Sequence, residues 1–269
     1  MRDSIIKRIS VCLMALAVAV SMAGCSLSTD QDRSMEKVRD SGELVLGFDA
    51  NFPPFGFVED GGNVEGFDID LAREVCDRIG VKLVLQPINW DAKLDELEQG
   101  RIDCIWNGLS VNKERAELMT LSKPYLRNEL IFVVLADSDI RSIDEISGKR
   151  VGMQAGSTGL DVFNASDRCS DMVGIASEDN LDLLRKLREG SLDAVLIDSV
   201  FAYYCLDKYY SDMRVLPGNL ADEEIAVGFR KGDNALKNGV ERALKEMKAD
   251  GTLNEISMRW FGSDVTIIH

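Results

Sequence analysis

Leu44-Val45-Leu46-Gly47-Phe48-Asp49, then Asp70-Leu71-Ala72-Arg73-Glu74-Val75-Cys76-Asp77-Arg78-Ile79-Gly80, then Lys82-Leu83-Val84-Leu85 set out the plan of the chain. The first is a short apolar strand that ends at Asp49. In the second, Leu71, Val75 and Ile79 share one helical face with Arg73, Asp77 and Arg78 between them, an amphipathic helix stopped by Gly80. The third is again a strand. Between the first two lie a turn over Asn51 to Pro54 and the polar hairpin tip Asp60-Gly61-Gly62-Asn63.

The same alternation runs outward from this unit. Asp91 to Gln99 reads as a short helix and Ile102 to Trp106 as a strand. Leu130 to Ala136, Val151 to Gln154, Asp193 to Ile197, Met213 to Leu216 and Ile225 to Arg230 read as strands. Helices are expected over Asn180 to Arg188, from about Ser199, over Asn234 to Lys248, and over Thr252 to Trp260. Strands alternating with helices imply an α/β fold, with mixed or parallel sheets covered on both faces. Ligands of such sheets sit outside the carboxyl ends of strands. Asp49, Asn107, Gln154 and Asp198 all fall at expected strand ends, so the pattern brings four polar side chains toward one cleft. Each is also an ordinary turn residue type.

The N-terminus gives the compartment. Arg2, Lys7 and Arg8 precede a mostly apolar run from Ile9 to Val20, and Met22-Ala23-Gly24-Cys25 follows. This is the layout of a secretory signal over residues 1–24, with an apolar run too short for a bilayer. Met22 to Cys25 resembles a bacterial lipobox, which makes Cys25 the lipidated first residue of the mature chain, palmitate included. Residues 25–41 are expected to be a flexible tether. The formal charge of −15 comes from 31 Lys and Arg against 46 Asp and Glu. Removing residues 1–24 leaves 28 against 45, or −17. So acidic a chain is a poor partner for nucleic acid or anionic lipid.

Catalytic equipment is scarce. The single histidine is His269, which removes Ser-His-Asp, Cys-His and His-rich metal arrangements. No two of Cys76, Cys104, Cys169 and Cys205 have C-x-x-C spacing, and they suit four buried thiols as well as two bridges. Gly148-Lys149 is followed by Arg150, and Ile143 stands where a phosphate loop needs its first glycine. No cofactor or metal is expected.

A series of segments in order resembles the bacterial extracellular solute-binding proteins for polar amino acids, family 3. They are Gly42-Glu43-Leu44-Val45-Leu46-Gly47, Asn51-Phe52-Pro53-Pro54-Phe55 and, most diagnostic, Gly66-Phe67-Asp68-Ile69-Asp70-Leu71-Ala72. Asn89-Trp90-Asp91, Gly100-Arg101-Ile102-Asp103, Leu109-Ser110-Val111-Asn112-Lys113-Glu114-Arg115 and Ser122-Lys123-Pro124-Tyr125 follow. Gly148-Lys149-Arg150-Val151-Gly152, Gly156-Ser157-Thr158, Asp250-Gly251-Thr252 and Trp260-Phe261-Gly262 complete the series. The resemblance implies a type II periplasmic-binding-protein fold, a Venus flytrap of two α/β lobes. Lobe 1 would be 42–125 plus 226–269, lobe 2 would be 130–220, and the hinge strands 126–129 and 221–225. It further implies an amino acid ligand, delivery to an ABC permease and its ATPase, and a monomer held to the membrane by its lipid.

A zwitterion needs a fixed cation and a fixed anion. Arg115 is the candidate for the ligand carboxylate, since its planar fork binds both oxygens. Asp198 ends the apolar run Asp193-Ala194-Val195-Leu196-Ile197 and is the candidate for the ammonium. By the resemblance, Gly108 and Ser110 supply backbone and hydroxyl contacts, Ser157 and Thr158 a turn of N–H donors, and Phe52 and Trp90 two flanking aromatics. Asp49, Asn107 and Gln154 fall where side-chain selectivity is set. Asn112 departs from the usual Thr, and Asn107 from a small residue. Two other classes remain open: a same-fold enzyme of the cyclic-acid dehydratase type, with Asp49 as its acid or base, and a receptor input domain. The chain ends seven residues after Gly262, which leaves the latter no downstream module.

Overall fold

A computed structural model describes residues 32–59 and 61–268. The signal segment 1–24 and Cys25 lie outside the described residues. The first described helix, α1 (Ser34–Ser41), buries Met35 and Val38, and the Ser34 hydroxyl accepts the Leu236 N–H at 3.0 Å. Residues 34–41 are therefore docked structure, which corrects the expected tether over that part of 25–41: two apolar side chains one turn apart found a partner.

Strands β1 (Glu43–Phe48), β2 (Asn51–Phe52), β3 (Gly56–Val58) and β4 (Val64–Glu65) lead into α2 (Phe67–Ile79). On α2, Phe67, Ile69, Leu71, Ala72, Val75 and Cys76 are buried, and Gly80 closes it in the left-handed conformation that glycine adopts without strain (φ 77°). Strand β5 (Lys82–Pro87), a short 3-10 turn at Trp90–Ala92, α3 (Lys93–Glu98), β6 (Cys104–Ser110), α4 (Lys113–Leu118) and β7 (Thr120–Leu121) follow. The second half contains β8 (Leu126–Leu135), β9 (Arg150–Gln154), α5 (Thr158–Ala165), β10 (Val173–Ser177), α6 (Asn180–Arg188) and β11 (Ala194–Asp198). Then come α7 (Ser199–Lys208), β12 (Met213–Val215), β13 (Ala221–Phe229), α8 (Asn234–Asp250) and α9 (Thr252–Phe261).

A ten-stranded sheet runs β10-β9-β11-β8-β13-β6-β1-β5, with β12 beside β8 and β7 beside β13. Its two sides repeat one scheme. On one side β5, β1 and β6 are parallel and β13 pairs antiparallel with β6; on the other β10, β9 and β11 are parallel and β8 pairs antiparallel with β11. The two return strands pair with each other from Ala221↔Leu130 to Ile225↔Leu126. Among the described residues, that ladder is the only place where the two sides share main-chain pairing in the sheet. The result is the mixed α/β architecture of the type II binding proteins.

Burial follows the strand period where one face is wet. Leu44, Leu46 and Phe48 are buried in β1, and each such side chain contributes about 1.5–3 kcal/mol. Strand β6 is buried throughout and extends to Ser110, so Asn107 lies inside the strand rather than at its end. This corrects the strand-end placement of Asn107; Gln154 and Asp198 do end their strands, and Asp49 follows β1 directly. Cys76, Cys104, Cys169 and Cys205 are all free and buried, and burial raises each thiol above its ordinary range. Among the described residues no helix is long and apolar enough to cross a membrane.

Candidate functional site

The diagnostic segment at 66–72 holds the frame of the site. Asp68, fully buried, accepts the Gly108 N–H at 2.7 Å and the Tyr125 hydroxyl at 2.7 Å. Burial pushes its carboxyl up to about 7, against the pull of those donors. Asp70 accepts the Trp260 indole N–H at 2.9 Å and pairs with Arg259 at 2.9 Å. One helical turn thus ties together β6, the entry to β8 and the C-terminal helix. Gly108 must be glycine: its φ is 63°, and a Cβ there would meet Phe52 at 2.8 Å.

One cavity is lined by Asp49, Phe52, Trp90, Asn107, Gly108, Ser110, Arg115, Gln154, Ser157, Thr158 and Asp198. All eleven residues singled out in the sequence meet there.

Arg115 is buried at 5% exposure on α4, whose N-cap is Asn112, its side chain accepting the Arg115 N–H at 2.7 Å. The departure from Thr at 112 therefore keeps a good capping residue. The guanidinium donates to the Ser110 carbonyl at 2.7 Å and the Gly156 carbonyl at 3.2 Å. Burial lowers its pKa and the neighbouring Glu223, Asp161 and Asp198 oppose that, so it remains a cation. Facing it, Ser157 caps α5: its hydroxyl accepts the Leu160 N–H at 3.2 Å. The N-terminus of α5 thus opens on the cavity beside Arg115, two positive elements for one anion.

Asp198 is half-buried and accepts from the Asn128 amide. Burial first, and then Glu223, push its carboxyl up to about 8. Asn128 also donates to Glu223 at 2.9 Å, and the Ser110 hydroxyl donates to Glu223 at 2.9 Å. Lys93, 5% exposed, donates to the Gly156 carbonyl at 2.7 Å and to the Trp90 carbonyl at 3.1 Å, its ammonium 5.2 Å from the Trp90 ring centroid. Burial and Arg115 lower its pKa to about 7.

The other end is a relay of amides. Gln154 donates to Asp49 at 2.6 Å and accepts from Asn180 at 2.7 Å, while Asn107 accepts the Asp49 N–H at 3.0 Å. The Asn107 amide nitrogen is buried without a hydrogen-bond partner. Burial raises the Asp49 carboxyl despite hydrogen bonds from the Asn51 N–H and Gln154. Phe52 lies between Phe55 (5.4 Å) and Phe201 (5.0 Å), near-parallel to both, so it is a cavity wall and a packed ring at once.

Glu223, Asn128, Lys93 and Asn180 were not singled out in the sequence. Glu223 had only a weak signal: it shares the strand face of Ile225 and Val227, but Ala226 on the opposite face is buried as well. Lys93 had none, standing in a charged stretch that reads as a wet helix face.

A profile of the bacterial extracellular solute-binding proteins, family 3, matches residues 44–263. The L-cystine-binding protein TcyJ of Escherichia coli (strain K12) is 30% identical over 257 residues, 94% of this chain and 96% of that one. A substrate-binding protein of an ABC uptake transporter from Streptococcus pneumoniae, solved with bound histidine, is 36% identical with a TM-score of 0.84, covering 88% of this chain and 99% of that one. Tv2483, solved bound to L-arginine, is 29% identical with a TM-score of 0.85, covering 88% and 98%. With most of its length matched in sequence and fold, the chain belongs to the bacterial extracellular solute-binding proteins, family 3.

Proposed function

We propose that the protein is the substrate-binding component of an ABC importer for a polar amino acid, one whose side chain is cationic or donates hydrogen bonds. The observation that carries the reading is the placement of Arg115 and Asp198 on one cavity, a cation and an anion lining the same space. Arg115 and the N-terminus of α5 take the ligand carboxylate, and Asp198 takes its ammonium. Arg115 precedes the crossover ladder and Asp198 follows β8, so a zwitterion bound by both clamps one lobe to the other. Asp49, with Gln154 and Asn107, reads the side chain; a buried carboxylate there favours a positive or donor group. The relatives solved with arginine and histidine are consistent with this preference.

In this reading lobes 42–125 plus 226–269 and 130–220 close about the hinge strands 126–129 and 221–225. Cys25 carries the lipid that holds the monomer at the membrane, and the closed form meets the permease and its ATPase. The ligand leaves unchanged. The cystine-binding and Streptococcus pneumoniae relatives are named as binding proteins, and the cavity pairs a cation and an anion suited to a zwitterion rather than to a simple acid.

A thermal-shift screen of the common amino acids tests the reading. A ligand at about 100 times its Kd stabilises the protein by roughly 2.7 kcal/mol. One or a few polar amino acids are expected to raise Tm, and mass spectrometry should recover them intact. No shift with any amino acid, or turnover of the bound compound, would refute the function.

A further inference from the structure

Asn128 and Glu223 face each other in register on the two crossover strands. The Asn128 amide is 3% exposed and its orientation is locked, because its oxygen accepts the Ser199 hydroxyl at 3.1 Å. Its nitrogen is thereby directed at two carboxylates, Asp198 and Glu223. Glu223 also accepts the Ser110 hydroxyl, and Ser110 lines the interlobe cavity. On its other side Glu223 lines an open groove with Val111, Arg127, Glu129, Asp222 and Glu224. It therefore stands between the cavity and water.

Resting on the amino-acid reading above, we propose that Glu223 is the second anion of the ammonium subsite, so that the empty cavity keeps an extra proton which the ligand's ammonium displaces. Two carboxylates converge on one neutral amide, with Arg115 as the cation facing them. Two like charges in so small a space do not both ionise at low cost. The raised carboxyl of Asp198 expresses this, with Glu223 as the cause second to burial. An ammonium entering beside Asp198 supplies the missing positive charge. The Asp198 carboxylic O–H then breaks, its electron pair stays on oxygen, and the proton passes to buffer along the groove beside Glu223.

The groups facing this pair are Arg115 from α4, Ser110 from β6, Asn128 from β8 and Ser199 from α7. Arg127, Glu129, Asp222 and Glu224 stand along the groove. Two further groups near the cavity lie close to neutrality: Lys93, lowered to about 7, onto which the ligand carboxylate draws a proton, and Asp68, raised to about 7 behind Gly108. The difference between two proteins therefore tells more than either absolute count.

The sign follows from the shift. Asp198 is raised to about 8, so at pH 7 the empty site is mostly protonated and the complex is not. Binding releases protons there, and affinity rises with pH, approaching tenfold per unit below pH 8 where one proton is released.

Titration calorimetry near pH 7 in phosphate and in Tris counts the proton, with L-arginine and its 2-hydroxy acid analogue as probes. If the screen selects another amino acid, that one and its hydroxy analogue replace them. Wild type should release protons with the amino acid and none with the hydroxy acid, which has no ammonium. In Glu223→Gln, which keeps both hydrogen bonds and loses the charge, the release should fall by at least half and the rise of affinity with pH should move to lower pH. A merely structural role for Glu223 would weaken binding without moving the proton count. Should that variant fail to fold, wild type decides alone, since release near pH 6.5 must largely vanish near pH 8.5. Equal proton release in both proteins, or release that persists at the higher pH, overturns this proposal and leaves amino acid binding intact. Absence of binding by any amino acid overturns both.

Discussion

The two ends of the cavity are built from different materials. At the Arg115–Asp198 end the groups are charges, and their partners lie on both sides of the crossover: Arg115 reaches Gly156, and Glu223 bridges Ser110 and Asn128. At the Asp49 end one carboxylate is held by a chain of neutral amides, Gln154 and Asn180, with Asn107 behind it. A fixed charge pair recognises what every amino acid shares, whereas an amide relay can re-pair around different side chains. With the function proposed above, the contrast separates affinity from choice of ligand.

The sharpest way to break that division is to delete the charges. Arg115→Ala and Asp198→Ala should each cost about 2–5 kcal/mol of binding, since removing one partner strands the other. That is roughly 30-fold or more at about 1.4 kcal/mol per decade. Calorimetry with the amino acid and its carboxamide checks it: the blocked ligand should suffer in wild type and lose little more in Arg115→Ala. If Asp49→Ala proves as damaging for every amino acid as Arg115→Ala, the two ends are not distinct.

Closure can be attacked separately. Gly156 sits at φ 65°, and a Cβ there would come within 2.7 Å of the Asp91 carboxylate oxygen and 2.9 Å of its Cα, both across the cleft. The left-handed conformation costs a residue with a Cβ about 1–2 kcal/mol whether or not ligand is bound, so it lowers stability, and the contact with Asp91 is what opposes closure. Gly156→Ala should weaken every ligand by about tenfold or somewhat more. Small-angle scattering should show less compaction on adding ligand; equal compaction in both proteins would place the strain elsewhere.

Asp49→Asn sharpens the other side. A cationic amino acid should lose about tenfold, the low end for a charge-assisted hydrogen bond, while a neutral amide side chain should lose little. Burial raises the Asp49 carboxyl, and the cationic ligand needs it ionised. Its contribution is full above that raised pKa and is lost as pH falls through it, starting above the ordinary carboxylate range. Competition assays across acid pH should show that loss for the cationic ligand in wild type and a flatter profile in Asp49→Asn.

Lys93→Met should have the smallest effect, a few-fold. The hydrogen bond to Gly156 at 2.7 Å contributes about 0.5–1.5 kcal/mol net, and the burial cost that lowers its pKa offsets part of it. The change should be similar for all amino acids. A selective change would move Lys93 to the side-chain end.

How far the sequence led depended on the kind of order each residue sits in. Asp198 was legible because a carboxylate ends an apolar run, and the helix at 67–79 because its apolar face recurs before a glycine. Arg115 was legible only through the motif around it, since nothing local separates it from a solvated arginine. Glu223 sits among Asp222 and Glu224, and choosing the inward one requires the strand's register. The helix at 34–41 was missed because its buried face is just Met35 and Val38, too brief a pattern to outweigh a polar composition.

The placement of β13 bears on how such a chain is made. Ile225 pairs with Ser110, and Phe229 with Cys104, so the strand between β6 and β8 is supplied from far along the chain. Pairings this distant in sequence form late, because loop closure comes before any contact rewards it. In vectorial synthesis the half that begins first is the half completed last. Residues 43–110 cannot settle into their final sheet until the C-terminal quarter has emerged, while β8 to β12 are contiguous and need no such wait. For a member of an extracytoplasmic family, that delay leaves the leading part of the chain unlocked, and able to be threaded, for as long as its closing strand is still to come.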